Sequence, residues 1–454
     1  MLTKIAIKIM TMIMPLVIAL NGFTVSLPFF NGKAEIDYVF ANDAAGSAAG
    51  TVTVSSSVNG SYELYWGTGD NEKLSVEVKG YEVFYSEFAQ LTVSGGKGST
   101  DIYEFTAIPE GAESVLAFKN KAFMGSAELP EEKIADNGEK IYSFGALSDL
   151  HFNRYNLSLT GDDAEITFPN ALNFLDGFGI SFVGMSGDLS SNGERDSFEK
   201  FHRIASNYDF PVYTSTGNHD VSNKYSLENW QELVNAGVYG ENKADGVINV
   251  SENGMDFVYQ PPEGRGDIFI FLCQYQWDYN KDTSRILTDE QLDWLENQLE
   301  EYKDRKVFLF FHTFLNAPGD NPYMGEGNLI NNLGVKYNLS FTAGTPDEAR
   351  FRQLMKDYKN VFFFNGHSHW TYDMYKLNPQ INITNYDGEY ATMIHISSVS
   401  SPRSATANSA TTVENCMRKS EGMLVTVYDD CIVFTACEFF SGELLAYATY
   451  RCEI

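Results

Sequence analysis

At 454 residues the chain is longer than one ordinary hydrophobic core supports, so two domains are expected, and its 43% hydrophobic, 20% charged composition is that of a globular protein. A formal net charge of −29 makes it a poor non-specific ligand for nucleic-acid polymers and anionic membranes, so no nucleic-acid partner is expected. Such a surface can still admit a small phosphate ester where bound metal ions reverse the local field.

The chain opens as a signal peptide does. Lys4 and Lys8 form a basic start, and 9–20 is an apolar stretch short for a full membrane span. Val39-Phe40-Ala41 offers a small-residue cut, which assigns 1–41 to the leader; a second cut lies near Ala19 to Gly22. The competing reading is an uncleaved anchor. Cleavage predicts a secreted or cell-surface protein with no stable membrane insertion. No cysteine precedes Cys273, which excludes a lipid-modified cysteine after the leader. Residues 42–50 are small and Gly/Ala-rich, as in a linker.

Residues 51–125 alternate polar and apolar positions in short runs separated by glycines, for example Thr51-Val52-Thr53-Val54 and Tyr62-Glu63-Leu64-Tyr65. This pattern predicts a small all-β domain of immunoglobulin or fibronectin type. It holds none of the histidines, and a packing or spacing role is expected for it.

From 138 to 454 the pattern becomes alternating strands and helices. Strands are expected at 141–147, 180–185, 211–214, 307–311 and 361–364, and helices at 194–207, 288–304 and 346–358. In the 288–304 helix, Thr288 and Gln291 form a capping box, and Leu292, Leu295, Leu299 and Tyr302 share one face. Three further strands, 424–428, 432–439 and 444–450, complete a sheet of this α/β domain. Of the five cysteines, Cys273 lies in an apolar run and reads as a buried thiol. Cys416, Cys431, Cys437 and Cys452 are spaced to allow two disulfides.

Five short blocks stand at the carboxyl ends of these strands: Asp149-Leu150-His151, Gly187-Asp188, Gly217-Asn218-His219-Asp220, His312, and Gly366-His367-Ser368-His369. Strand ends are where α/β sheets place their sites. Imidazole and carboxylate groups are costly to bury without partners, and a pair of cations is the simplest reason to concentrate them. Residues two apart at a strand end can both turn toward one point. A carboxylate has two oxygens, so Asp188 can bridge two metals. Asn218 adds a neutral oxygen, which keeps the site from becoming too negative for phosphate. The mixed N/O donor set suits two divalent or trivalent transition-metal ions, Fe, Mn or Zn foremost, better than calcium.

In this order the blocks resemble the calcineurin-like metallophosphoesterase superfamily, over roughly 140–400. The resemblance implies a four-layer α-β-β-α sandwich. It also implies that Asp149, His151 and His369 hold one metal, that Asp188 bridges, and that Asn218, His312 and His367 hold the other. It makes His219 the catalytic histidine beside the scissile ester and Asp220 the carboxylate that orients it. An upstream β module is also the layout of purple acid phosphatases. Those enzymes carry Gly-Asp-x-x-Tyr with a tyrosine ligand; here Ser191 takes that place, and His151 stands in a block where they have no histidine.

The chemistry implied is hydroxide attack on a metal-held phosphoester, with His219 assisting the leaving group. Gly-Asn-His-Asp leans toward diesters. Monoesterase or nucleotidase-type activity and a non-catalytic cell-surface binding protein are the alternatives. His202 is expected on a helix surface and His395 in the core. Asn153, Arg154, Tyr155 and Arg403 are possible substrate contacts, with ordinary loop roles the simpler reading.

Overall fold

The computed structural model describes residues 34–69, 71–153, 163–222, 226–235, 238, 243–252, 254–275, 286–315, 345–375, 382–405, 413–415 and 419–454. The basic and apolar start of the leader, Arg154, Tyr155 and Cys416 lie outside them. No helix among the described residues is long and apolar enough to cross a membrane.

The first region is all-β. Its strands are β1 (Glu35–Phe40), β2 (Gly50–Ser55), β3 (Gly60–Gly67), β4 (Ser75–Val78), β5 (Tyr81–Phe84), β6 (Ala89–Val93), β7 (Lys97–Ile102), β8 (Ser114–Lys119) and β9 (Ala122–Glu128). They form a β1-β2-β7 sheet, a β6-β3-β8-β9 sheet and a β4-β5 hairpin. The alternation read from the sequence is visible in β3, where Tyr62, Leu64 and Trp66 point into a core shared with Val52, Val54 and Leu91.

Strand β1 falls within the segment assigned to the leader. It pairs with β2 over six positions, from Glu35 opposite Ser55 to Phe40 opposite Gly50. A cut after Ala41 would strip this strand from its sheet, so the boundary at 41 conflicts with the fold. The 42–50 segment is likewise packed: Ala48 and Ala49 are buried, and Gly50 begins β2.

The second region contains β10 (Lys140–Leu147), α1 (Ala164–Gly177), β11 (Phe182–Met185), α2 (Arg195–Ala205), β12 (Val212–Thr214), α3 (Ser226–Leu233), β13 (Val247–Val250), β14 (Phe257–Tyr259), β15 (Ile268–Phe271), α4 (Asp289–Glu301), β16 (Val307–Phe310), α5 (Pro346–Asp357), β17 (Val361–Asn365), β18 (Ile383–Thr384), β19 (Thr392–His395), β20 (Arg403–Ala405), β21 (Val413–Asn415), β22 (Glu421–Tyr428), β23 (Cys431–Glu438) and β24 (Glu443–Glu453). Thr288 caps α4 through the expected box with Gln291. Helix α1 was not legible in the sequence, where Pro169 interrupts its pattern.

Two mixed sheets result, one ordered β12-β11-β10-β22-β23-β24 and the other β13-β14-β15-β16-β17-β19-β18. The three C-terminal strands extend the first sheet, as expected. One buried cluster draws from both sheets, with Phe144, Phe182, Phe269, Phe308, Phe310 and Phe364 at its centre. Phe144 meets Phe269 edge to face at 5.0 Å, and Phe310 stacks on Phe364 at 4.7 Å. Truncating such a ring to alanine typically costs about 3–5 kcal/mol. Phe168, Leu172 and Leu175 of α1 and Phe198 and Phe201 of α2 share a core with Leu147, Val183 and Met185 of the first sheet. Leu292, Leu295 and Leu299 of α4 and Phe351 and Met355 of α5 share another with Ile270, Leu309 and Phe363 of the second.

The all-β region docks on the last strand. Ser86 N–H donates to the Leu444 carbonyl at 2.9 Å, and Ala107 N–H to the Thr449 carbonyl at 2.9 Å. Edge groups of β24 are thereby covered, which removes a free template for strand pairing.

Cys273, Cys431, Cys437 and Cys452 are buried free thiols. Two disulfides among the four C-terminal cysteines would need at least one bond among Cys431, Cys437 and Cys452, and there is none. The register explains this. Cys431 lies opposite Glu453, while Cys452 lies opposite Ile432, so these two side chains leave opposite faces of the sheet. Cys437 packs on the helix side with Leu175, and Cys452 packs between the sheets.

Candidate metal centre

The parallel strands β10, β11, β12, β16 and β17 deliver the five blocks to one place. Asp149, His151, Asp188, Asn218, His312, His367 and His369 are all buried, none more than 5% exposed. Ligand atoms of Asp149, His151, Asp188 and His369 all lie within 4.8 Å of one another, and so do those of Asp188, His312 and His367. Asp188 belongs to both groups. The Asn218 side-chain oxygen lies 3.2 Å from His312 Nε2, which places it beside the second group.

Within the groups, nitrogens converge. His151 Nε2 is 2.9 Å from His369 Nε2, and His367 Nδ1 is 2.9 Å from His312 Nε2. His369 Nδ1 faces the Ser401 carbonyl at 3.0 Å, and His312 Nδ1 faces the Ser186 carbonyl at 2.8 Å. Each of those Nδ1 atoms must donate, so in the neutral ring each Nε2 turns a lone pair inward. This is how histidine is held when it ligates a metal. Asp149 Oδ1 and Asp188 Oδ2 are buried without hydrogen bonds; Asp149 Oδ1 lies 3.0 Å from His369 Nε2 and Asp188 Oδ2 lies 3.1 Å from His312 Nε2. Lone pairs and carboxylate oxygens aimed at a common point fit a pair of cations.

The electrostatics show the same demand for positive charge. Burial raises the Asp149 carboxyl, but His369 and His151 outweigh it and hold it well below the usual carboxylate range. Asp188 is also held below that range, its burial overcome by His312 and His219. Burial pushes His151 down to about 3 despite the Asp149 carboxylate 3.6 Å away, and pushes His367 well down with the help of the His312 charge. His312 goes the other way: burial lowers it, but Asp188 more than compensates and lifts it to about 9.

The loops are strained. Asp149 (φ 57°), His151 (50°), Asp188 (54°), His367 (73°) and His369 (62°) all occupy the left-handed region. Each such residue costs on the order of 1–3 kcal/mol and persists only where its surroundings over-determine it. Here His151 N–H donates to the Asp188 carbonyl at 2.9 Å, and Gly366 N–H to the His312 carbonyl at 3.1 Å. Close approach does the rest. A Cβ on Gly217 would come within 2.7 Å of the Asp188 nitrogen, and one on Gly366 within 2.6 Å of Asp149 Oδ2.

His219 stands at the rim, half-buried, its ring edge-on to His151 at 4.8 Å. Its Nδ1 lies 2.7 Å from the Ser191 carbonyl, and its backbone N–H donates to Asp188 Oδ1 at 2.9 Å. Asp220 does not make the bond expected of it. Its Oδ1 accepts from Ser190 N–H at 2.8 Å and Ser190 Oγ at 3.0 Å, and its Oδ2 from Gly217 N–H at 2.9 Å and Leu189 N–H at 3.3 Å. The carboxylate therefore staples the Asp188 loop to the Asn218 loop, and a backbone carbonyl orients His219. Burial and then Asp188 push Asp220 up to about 7.

Sequence reasoning missed the serines that hold the ligands. Ser148 Oγ donates to Asp149 Oδ2 at 2.6 Å, and Ser398 Oγ to the Asp149 carbonyl at 2.8 Å. A single serine after a strand, such as Ser148, or one among many, such as Ser398, carries no pattern that would single it out. His202 is exposed on α2, and His395 is buried with Nε2 3.0 Å from the Trp370 carbonyl. Asn153 is bound by Lys200 at 2.6 Å and donates to Ser197 at 2.9 Å, a loop role. Arg403 pairs with the His369 strand end through its backbone N–H, 2.7 Å from the His369 carbonyl.

Two mixed sheets share one core, and buried Asp/His clusters at their strand ends form an α/β site that could hold metal ions. The family model of the calcineurin-like phosphoesterases matches residues 142–371, just over half of the chain, and the chain belongs to that family. It is 28% identical over 130 residues to a probable glycerophosphodiester phosphodiesterase GpdQ of Arcobacter nitrofigilis, a match covering 29% of this chain and 40% of that relative. Among solved structures it is similar to the purple acid phosphatase PPD1 from yellow lupin seeds, at 13% identity and TM-score 0.41, covering 93% of this chain and 74% of that one. It is also similar to PhoD, at 11% identity and TM-score 0.39, covering 93% and 92%. The purple-enzyme tyrosine is absent: the Ser191 hydroxyl donates to the His151 carbonyl at 3.2 Å.

Proposed function

We propose that the chain is an exported, dinuclear-metal phosphoesterase that prefers small diesters. The observation that carries this reading is the sharing of Asp188 between two buried ligand groups. In this reading Asp149, His151, Asp188 and His369 hold one ion, and Asp188, Asn218, His312 and His367 hold the other. The domain that carries them is a four-layer α-β-β-α sandwich, preceded by an immunoglobulin- or fibronectin-like domain. When bound, the two ions supply an activated water and neutralise the phosphoryl charge.

The chain's own residues do the rest. Ser191 takes the Nδ1 proton of His219 as a hydrogen bond, which leaves Nε2 to face the substrate. As an imidazolium, His219 can pass the Nε2 proton to the leaving oxygen. Its N–H bond to Asp188 keeps the ring in register with the shared ligand. A diester preference is supported by Gly217-Asn218-His219-Asp220 and by the name of the Arcobacter relative, which says what that protein hydrolyses. Export is supported by Lys4, Lys8 and the apolar stretch that follows.

Metal analysis of the full chain, with hydrolysis of bis-p-nitrophenyl and p-nitrophenyl phosphate, tests the reading. Two ions per chain and faster diester turnover are expected. Faster monoester turnover would replace the diester preference. Bound metal without hydrolysis of either ester would favour a binding protein.

A further inference from the structure

We infer that Glu421, at the start of β22 and outside every metal-ligand block, is a positioning residue for the ion held by Asp149, His151, Asp188 and His369. The inference rests on the two-metal reading above. Glu421 is fully buried. Its Oε2 accepts from Tyr372 N–H at 3.0 Å and from Ser397 Oγ at 2.9 Å. Its own N–H donates to the Ser398 carbonyl at 3.2 Å. Its Oε1 faces Lys419 Nζ at 3.4 Å, and that amine also binds Asp373 at 2.6 Å.

One side chain thus joins two loops that meet at the same metal position. The first runs from Gly366 to Tyr372 and carries His367 and His369. The second, 397–401, contributes no ligand but holds two of them. Its Ser401 carbonyl faces His369 Nδ1 at 3.0 Å, and its Ser398 hydroxyl donates to the Asp149 carbonyl at 2.8 Å. The Tyr372 hydroxyl closes the ring by facing Ser397 N–H at 3.3 Å. By contrast, His312 is held by the Ser186 carbonyl on the far loop. Cutting the Glu421 bonds should therefore loosen one metal position more than the other. A single buried carboxyl oxygen accepting from two loops is a point constraint, and loss of an outer partner of this kind typically weakens metal binding about 10–100-fold.

The test is titration of metal-free full-length protein with Mn²⁺, read by calorimetry and by electron paramagnetic resonance, for wild type, Glu421→Ala, Glu421→Gln and Ser397→Ala. Wild type is expected to bind two ions. Glu421→Ala should bind one ion as wild type does and the other at least 10-fold more weakly, with loss of the coupled two-ion signal. Glu421→Gln keeps an oxygen acceptor and should restore both. Ser397→Ala removes one bond and should weaken the same position by a smaller factor; it carries the test if Glu421→Ala does not fold. Two ions bound with wild-type affinity by a folded Glu421→Ala or Ser397→Ala protein overturns the inference. A wild-type chain that binds no ion overturns the two-metal reading and the inference with it.

Discussion

The Ser191 carbonyl oxygen lies 2.7 Å from His219 Nδ1 and so fixes which ring nitrogen of His219 faces the substrate side. His219 reaches Asp188 through its backbone N–H, which alanine keeps, and its ring only packs edge-on to His151. His219→Ala is expected to keep both ions and lose about 10²–10⁴-fold in turnover of bis-p-nitrophenyl phosphate. Loss of both ions from this variant, seen by elemental analysis, would move His219 into the ligand set and sink its role as a proton donor.

Asp220 offers the complementary case. Its two oxygens accept four hydrogen bonds from Leu189, Ser190 and Gly217. An alanine there removes every one of these acceptor contacts. Leaving such buried donors unsatisfied costs about 1–3 kcal/mol. Asp220→Ala should therefore lower the urea midpoint of the metal-free protein near pH 4, where the cost of ionising the raised carboxyl is nearly absent and the lost acceptors decide the sign. An unchanged midpoint with reduced kcat alone would restore the orienting role that the sequence had suggested for Asp220.

Steric closeness of the strand-end loops makes a third test. Gly217 has ordinary backbone angles, so alanine there brings no conformational strain, only a Cβ pressed on the Asp188 carboxylate and within 2.7 Å of its nitrogen. Gly217→Ala is expected to displace the shared ligand and weaken binding of both ions about 10–100-fold. Weakened binding of one ion only, in a Mn²⁺ titration, would argue that Asp188 does not bridge.

These cases mark how far the chain could be read without coordinates. The ligand blocks were legible because each needs a polar side chain directly after an apolar strand, a local pattern that β10, β11, β16 and β17 all display. What holds the ligands was not. The Ser186, Ser191 and Ser401 acceptors are backbone carbonyls, and every residue has one. Strand β1 was passed over for a different reason: Val39-Phe40-Ala41 has the small-residue pattern of a cleavage site. The signal was nonetheless present in Glu35-Ile36-Asp37-Tyr38, whose polar-apolar alternation matches the alternating exposure of that strand. The orienting role of Asp220 came from the resemblance alone, and nothing local in the sequence shows that its oxygens accept from Leu189, Ser190 and Gly217.

The thiols give a prediction about redox state. Cys273 and Cys437 are fully buried, and burial pushes the Cys437 thiol up to about 12. Cys273, Cys431, Cys437 and Cys452 should stay unreactive toward a thiol reagent in the folded protein and react on unfolding. Removing a native disulfide typically costs about 2–5 kcal/mol, so a Tm unchanged by reductant is expected. A fall of several degrees on reduction would show a bond that the sheet register argues against.

Glu421 links position to pH. Burial, with a smaller push from Asp373, outweighs Lys419, Tyr372 and Ser397 and raises this carboxyl from its ordinary 4.5 to about 6. Between those values the folded chain keeps the proton and the unfolded chain releases it, so stability falls as pH rises through the window. The 1.5-unit difference corresponds to about 2 kcal/mol. Glutamine mimics the protonated acid and does not titrate. Metal-free Glu421→Gln should match wild type near pH 4 and exceed it by about 2 kcal/mol at pH 7.5, measured by urea denaturation of both proteins at each pH. The metal ligands titrate alike in the two proteins and cancel in the difference. A gap that stays constant across the range would mean that the buried carboxyl is ionised at no cost, with Lys419 as a full counter-charge instead of a partial one. In the present geometry the wild-type residue instead holds the His369 loop at some expense to the fold.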